Sequence, residues 1–191
     1  RFPARPALAA LHAPADGIVT GAGTIAGRPT AVVSYDYTAL GGSQGVVSHA
    51  KLDHILELCD KNEWPLVIVA EGAGARPQEM AIGNYGRRVM SFAAVAKWSG
   101  RVPLVAIVPG RSFAGHAALA GLCDIIIATR DAAVGIAGPP FVTSSTGYAV
   151  TADGIVPAAL NDAVCAVCLI VDRGVQAVEL TGLDPHSRPL P

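Results

Sequence analysis

The chain has 191 residues, of which 51% are hydrophobic and 15% are charged. This length and balance fit one domain with a substantial core and exclude a disordered chain. The net charge is −1 and no apolar run approaches the roughly 20 residues of a membrane span, so we expect neither nucleic acid nor a membrane as partner. The high apolar content indicates that another subunit covers part of the surface.

Short β-rich runs alternate with helical segments along the chain. The helix predicted over 49–59 has apolar residues at the i, i+3, i+4 and i+7 spacing from Leu52 to Cys59, which is typical of one buried helical face. Such alternation predicts an α/β fold with largely parallel strands. The predicted strands are 30–37, 65–71, 102–108, 124–129, 133–138 and 165–172. The predicted helices are 49–59, 86–98, 115–122 and 174–182.

Three segments are predicted from this pattern: an N-terminal extension over 1–20, one domain over 21–183 and a loose tail over 184–191. The extension begins with a positive charge but lacks the strong apolar centre of a signal peptide.

The cysteines are interpreted as buried core thiols of a cytoplasmic protein. A single CxxC pair, without a second pair of ligands at zinc spacing, is weak evidence for a metal, and we expect none. The cysteines are Cys59, Cys123, Cys165 and Cys168.

Two predicted strands end in turns of small residues. The run PLVIVAE continues into Gly-Ala-Gly-Ala at 72–75, and VPLVAIV continues into PGRSFAGHA at 109–117. Small residues let a substrate carbonyl reach backbone N–H groups, and amides from two turns that converge on one oxygen make an oxyanion hole. Tight packing of strands against helices needs small residues equally well, so both interpretations stay open. Neither turn matches a P-loop or a GxGxxG fingerprint.

The stretches GRPTAVVSYDYTALGGSQG, EGAGARPQEM and TRDAAVGIAGPPFV, in this order and spacing, resemble the N-terminal half of biotin-dependent acyl-CoA carboxyltransferases of the propionyl-CoA carboxylase type. The resemblance extends over about 21–155. It implies the crotonase-like fold, a spiral of ββα units, and chemistry through a thioester enolate. It also implies that the backbone amides of Ala75 and Gly115 hold the enolate oxygen.

The same resemblance implies the ligands and partners. The substrate would be a thioester of CoA or of an acyl carrier protein, and biotin would be carried on a separate chain. In the family a second half supplies the biotin pocket, so a second carboxyltransferase-type half or subunit is expected, in a homo- or hetero-oligomer. None of the three lysines, Lys51, Lys61 and Lys97, has the methionine neighbours of a biotinylated lysine, so no covalently bound cofactor is expected.

The sequence departs from the family pattern near the second turn. Ala114 precedes Gly115 where the family has two glycines, and His116 stands where it has a small residue. An imidazole there could protonate an enolate carbon, which suits a decarboxylase. The chemistry argues against hydration, since neither Ala118 nor Gly138 supplies the carboxylate that hydratases of this fold use.

Three functions therefore stay open: a carboxyltransferase-like subunit, which is favoured, a biotin-independent decarboxylase of a malonyl-type thioester, and a non-catalytic subunit. The predicted catalytic groups are Ala75, Gly115 and His116. Arg76 and Arg111 flank the turns as candidates for an anionic ligand. His49 and Lys51 could meet CoA phosphates, and Gln78 and Glu79 are interpreted as helix-start groups. The remaining predicted substrate-binding positions are Gly74, Ala114 and Gly138.

Overall fold

The computed structural model describes residues 14–80, 91–163 and 166–181. The strands are β1 (Ile18–Ile25), β2 (Arg28–Tyr35), β3 (Leu66–Val69), β4 (Leu104–Val108), β5 (Arg111–Phe113), β6 (Ile125–Thr129), β7 (Ala133–Gly135) and β8 (Leu169–Val171). The helices are α1 (Val46–Asn62), α2 (Pro77–Met80), α3 (Ser91–Trp98), α4 (Gly115–Gly121), α5 (Pro139–Thr146), α6 (Ala152–Ile155), α7 (Ala158–Ala163) and α8 (Gly174–Leu180).

The larger of two sheets has the strand order β1-β2-β3-β4-β6-β8. Its first pair, β1 with β2, is antiparallel, and every later pair is parallel. The strands β3, β4 and β6 read LVIV, LVAIV and IIIAT. Such continuous apolar runs are typical of parallel strands that are covered on both faces.

A second, smaller sheet forms where the strands of the first sheet end. Here β5 pairs in parallel with β7. Isolated bridges from Gly72 to Ser112 and from Gln44 to Ala75 extend this layer across the first glycine turn. Each of β3, β4 and β6 is therefore followed by a short extended segment of the second layer and then by a helix. This repeated ββα path is a spiral, and it brings the turns after β3 and β4 side by side.

The core lies mainly between the large sheet and helices α1, α3 and α4. Leu52 and Leu56 of α1 are buried there, together with Trp98 of α3 and Leu119 of α4. The opposite face of the sheet packs a smaller cluster under α8, centred on Ala177. Among the described residues, no helix combines the length and apolar character that crossing a membrane requires.

The predicted α/β alternation is confirmed, with helix α1 longer at both ends than the predicted 49–59. Strand β1 was not predicted, and Ile18 within it is fully buried. The predicted extension over 1–20 is thus corrected, because its last residues belong to the folded domain. Residues 86–90 of a predicted helix and the predicted tail at 184–191 lie outside the described residues.

The prediction of buried thiols is correct for Cys59, whose pKa burial raises to about 12. Cys123 is partly exposed, and burial also raises its pKa to about 12. The prediction is wrong for Cys168, which is exposed and accepts a hydrogen bond from the Ile126 amide at 3.3 Å. Cys168 precedes β8 rather than lying inside a strand, and Cys165 is outside the described residues.

Candidate functional site

The two glycine turns touch each other at Gly74 and Ala114. Gly74 has a φ of 92°, and a Cβ placed on it would lie 2.6 Å from the Cβ of Ala114. Gly72 donates to the Arg111 carbonyl at 2.7 Å and accepts from the Phe113 amide at 2.9 Å. The packing interpretation of the small residues therefore holds for Gly72 and Gly74, which have no space for a side chain.

The amides of Ala75 and Gly115 are different, because they keep their donors available. No hydrogen bond formed among residues 14–80, 91–163 and 166–181 has either amide as its donor. Gly115 is the first residue of α4, where an N–H lacks an acceptor within the helix. Both residues are partly exposed, so a ligand oxygen can approach these donors from solvent.

Ala114 holds a backbone conformation that suits glycine better than alanine. Its φ of 51° and ψ of −116° lie outside the regions that L-residues adopt readily. This strained residue immediately precedes the Gly115 amide. Strain of this kind persists only where the surroundings hold the chain in place, and here Ala114 donates to the Gly135 carbonyl at 3.1 Å.

His116 is fully buried beneath both turns. Its Nδ1 accepts a hydrogen bond from the Gly74 amide at 3.3 Å, and its ring meets the Tyr35 ring edge-on at a centroid distance of 4.4 Å. Burial lowers the pKa of His116 to about 4. A buried imidazole with this pKa is neutral near pH 7, which argues against the predicted role of His116 as the proton donor of a decarboxylase.

Arg76, which was predicted as a candidate for an anionic ligand, is buried and paired within the protein. It is 1% exposed, and its Nη1 lies 2.5 Å from the Asp16 carboxylate and 2.7 Å from the Glu79 carboxylate. Its Nη2 donates to the Ser43 carbonyl at 2.9 Å. Arg76 lies one residue beyond Ala75, so this ion cluster fixes the first turn against the chain that enters α1.

The two carboxylates of the ion cluster also hold the start of α1. Asp16 accepts from the Ser48 amide at 2.6 Å, and Glu79 accepts from the Val46 amide at 2.7 Å. Carboxylates that accept from first-turn amides satisfy donors that the helix leaves unpaired. Glu79 was predicted as a helix-start group, and it serves the start of α1 as well as lying in α2. Nothing is described for the side chain of Gln78.

Lys51 is likewise engaged by the protein. Its Nζ donates to the carbonyls of Ala15 and Ile18, which ties α1 to the start of β1 and the residues before it. Burial lowers the pKa of Lys51, while the charge of Asp16 opposes that shift. Two of its three donors serve backbone acceptors, and substrate binding by Lys51 stays a prediction. His49 is buried as well, with Nδ1 3.3 Å from the Ser91 hydroxyl.

Arg111 and Gly138 remain near the site. Arg111 is exposed in β5, and its backbone carbonyl accepts from the first turn. Gly138 precedes α5, and a Cβ on it would make an ordinary contact of 3.7 Å with the Phe113 ring. Both stay predicted substrate contacts.

Gln44 is the neighbour of the site that sequence reasoning missed. It is 1% exposed, and its Nε2 donates to the Tyr35 hydroxyl at 3.3 Å. A Cβ placed on Gly115 would lie 2.2 Å from its Oε1. The sequence signal for this neighbour was the glycine turn before α1. Gly42 in that turn approaches the first turn so closely that a Cβ there would lie 2.5 Å from the Glu71 carbonyl oxygen.

No group of three or more metal-ligating side chains assembles within the described part of the chain.

The ββα spiral and the two amides at its adjacent turns place this chain among proteins of the crotonase-like fold, to which its structural neighbours belong. The carboxyl transferase domain family matches residues 2–159, more than half of the chain. The chain belongs to that family, as the sequence resemblance predicted.

Four matches, one curated protein and three solved structures, illustrate the similarity. The methylmalonyl-CoA carboxyltransferase 12S subunit of Propionibacterium freudenreichii subsp. shermanii is 38% identical over 169 residues, covering 87% of this chain and 32% of that protein. A transcarboxylase 12S crystal structure, a hexamer with methylmalonyl-CoA bound, matches with a TM-score of 0.76 at 35% identity over 86% of this chain and 33% of that one.

A single-chain, multi-domain long-chain acyl-CoA carboxylase matches with a TM-score of 0.81 at 41% identity, over 87% of this chain and 17% of that one. A Pseudomonas malonate decarboxylase hetero-tetramer matches with a TM-score of 0.76 at 25% identity, over 91% of this chain and 70% of that one. The chain thus spans about a third of the curated carboxyltransferase subunit.

Proposed function

We propose that this chain forms the thioester-binding half of an acyl-CoA carboxyltransferase. The observation that carries the proposal is the pair of partly exposed amides, Ala75 and Gly115, which have no acceptor among the described residues and follow turns that touch each other. The similarity to a methylmalonyl-CoA carboxyltransferase subunit supports an acyl-CoA as substrate.

The two amides bind the thioester carbonyl oxygen and hold it as an enolate forms. When the bond from the α-carbon to its carboxylate breaks, CO₂ leaves and the electron pair moves onto the carbonyl oxygen. Each donor aimed at that oxygen contributes about 3 kcal/mol of transition-state stabilisation. Biotin on a separate carrier chain would supply the acceptor for CO₂, and no residue of this chain is assigned to holding it.

Malonyl-type decarboxylation is a second candidate, because two malonate decarboxylase structures match this chain over 70% and 80% of their own lengths. The same amides would hold the enolate. The proton would then come from a group other than the neutral, buried His116.

The test incubates the protein with methylmalonyl-CoA and with malonyl-CoA, with and without a biotinylated carrier. Loss of the carboxyl group that needs the carrier supports carboxyl transfer, whereas loss without the carrier supports decarboxylation. Binding of neither thioester would overturn both proposals.

We further propose an oligomer, as in the hexameric and hetero-tetrameric relatives, and sedimentation as an active monomer would contradict it.

A backbone substitution tests the amides themselves. Replacing Ala75 by lactic acid turns its amide into an ester and removes the N–H, which should lower kcat about 10²- to 10³-fold. The matched control is the same change at Ala158, whose amide donates to the Ala132 carbonyl at 2.8 Å. That variant should lose stability and keep its turnover, and equal turnover in both variants would exclude Ala75 as a donor.

A further inference from the structure

The side chain of His116 connects the two turns. It follows Gly115 directly in α4, and its Nδ1 accepts from the amide of Gly74, the residue before Ala75. The ring also fills the space beside Gly72, where a Cβ would lie 2.5 Å from Cε1. His116 therefore follows one proposed oxyanion donor, Gly115, in the chain and contacts the residue that precedes the other, Ala75.

We infer that His116 is a positioning residue that sets the Ala75 amide relative to the Gly115 amide. The inference rests on the proposed function. The hydrogen bond to Nδ1 fixes the peptide between Ala73 and Gly74, which lies one peptide ahead of the Ala75 N–H. The next peptide is held through its Gly74 carbonyl, which accepts from the Gln44 amide at 2.7 Å. Because His116 is part of α4, its contact with Gly74 also fixes the spacing between the first turn and the start of that helix. The ring itself does not touch the substrate.

The hydrogen bond determines which tautomer is present. Nδ1 accepts from an N–H, so it carries no proton, and the proton of the neutral ring is on Nε2. Nε2 is buried and has no hydrogen-bond partner within the described residues. A histidine whose one satisfied nitrogen faces a turn amide serves that contact rather than a proton relay.

Protonation of the ring would break the contact, because an N–H on Nδ1 would then face the N–H of Gly74. Burial and the nearby His49 of α1 disfavour the protonated form, while the carbonyls of Phe113 and Gly42 favour it. The Tyr35 ring of β2 packs against the imidazole edge-on. The positioning contact is therefore intact near pH 7 and is lost in acid.

The experiment compares three substitutions in the full chain. His116→Asn places a carbonyl oxygen on the γ-carbon, where Nδ1 is attached, and so keeps an acceptor for Gly74. His116→Gln moves the acceptor one atom further out, and His116→Leu removes it. The kcat of carboxyl transfer should stay within about threefold for the Asn variant and fall about 10²-fold for the other two, the usual effect of a small misplacement.

Two readouts separate positioning from a merely structural role. KM should change little in all three variants, and the acid limb of the wild-type pH profile, which His116 titration produces, should be absent from the Asn variant. The control is His54→Asn on the exposed face of α1, which should match the wild type in both. Equal loss in the Asn and Gln variants, or wild-type kcat in the Leu variant, would overturn the inference.

Hydrogen exchange at the Gly74 amide separates this inference from the proposed function. Protection of that amide should persist in the Asn variant and disappear in the Leu variant, whether or not the protein turns over a thioester. A protein that is inactive in every assay, yet shows this exchange pattern, would refute the proposed function alone. Unchanged protection in the Leu variant would refute the positioning role alone.

Discussion

Replacing Ala114 by glycine should stabilise the protein, although glycine normally weakens folded structure. The alanine backbone at φ 51° and ψ −116° carries strain of about 1–3 kcal/mol, which glycine relieves. Against this stands the greater freedom of glycine in the unfolded chain, which costs about 0.4–1 kcal/mol. The net gain in the free energy of unfolding is therefore about 1 kcal/mol, or a rise in Tm of roughly 2–4 °C for a chain of this size.

The assay is urea unfolding followed by circular dichroism, with Ala118→Gly as the matched control. Ala118 lies inside α4, where the same substitution should cost about 1 kcal/mol. The two variants thus make the same chemical change within one helical turn of each other. Their changes in the free energy of unfolding should have opposite signs. If Ala114→Gly destabilises the protein as much as the control does, the strain assigned to Ala114 is not present.

Three further outcomes follow from the described contacts. In a urea titration, Arg76→Met should lower the free energy of unfolding by about 3–5 kcal/mol, because it leaves two buried carboxylates unpaired. The control, Arg111→Met at an exposed position, should change this free energy by less than about 0.5 kcal/mol. His116 has a folded pKa near 4, below its unfolded value near 6.5. As pH falls, the unfolded chain therefore binds the extra proton first, and the free energy of unfolding declines between these two values. From pH 7 to pH 5, the wild type should lose about 2 kcal/mol more of this free energy than His116→Asn. Gly115→Val should reduce carboxyl transfer at least 10²-fold by crowding the donor amide, while Gly121→Val, with nothing within 4 Å of its Cβ, should keep wild-type rates.

The alternation of strands and helices could be predicted because it depends on local patterns. The runs LVIV, LVAIV and IIIAT are unmistakable as buried strands, and α1 shows a helical apolar stripe. Strand β1 was missed because its sequence, IVTGAGTI, is rich in small residues and alternates between the inside and the outside only weakly. Helix α5 was missed because it buries none of its residues, so no apolar stripe marks it.

The small-residue turns of the site were also predictable, but the roles of the charged and polar side chains near them were not. Sequence shows that Arg76 stands beside a turn, but its partner Asp16 lies 60 positions earlier, and only the fold brings the two together. The direction of His116 likewise depends on how α4 packs under the first turn. A position in sequence establishes proximity to a site, whereas burial and pairing decide whether a side chain serves a ligand or the scaffold.

The link from Asp16 to Arg76 has a practical consequence for anyone who shortens or fuses this chain. Removing residues up to and including Asp16 would leave the guanidinium without one of its two carboxylates, and would also free the Ser48 amide that Asp16 accepts from. The damage would appear at the Ala75 turn, far along the chain from the edit. An N-terminal truncation or cleavage site must therefore leave Asp16 and its contacts in place, and variants that lose Asp16 would report a defect that resembles loss of a catalytic group.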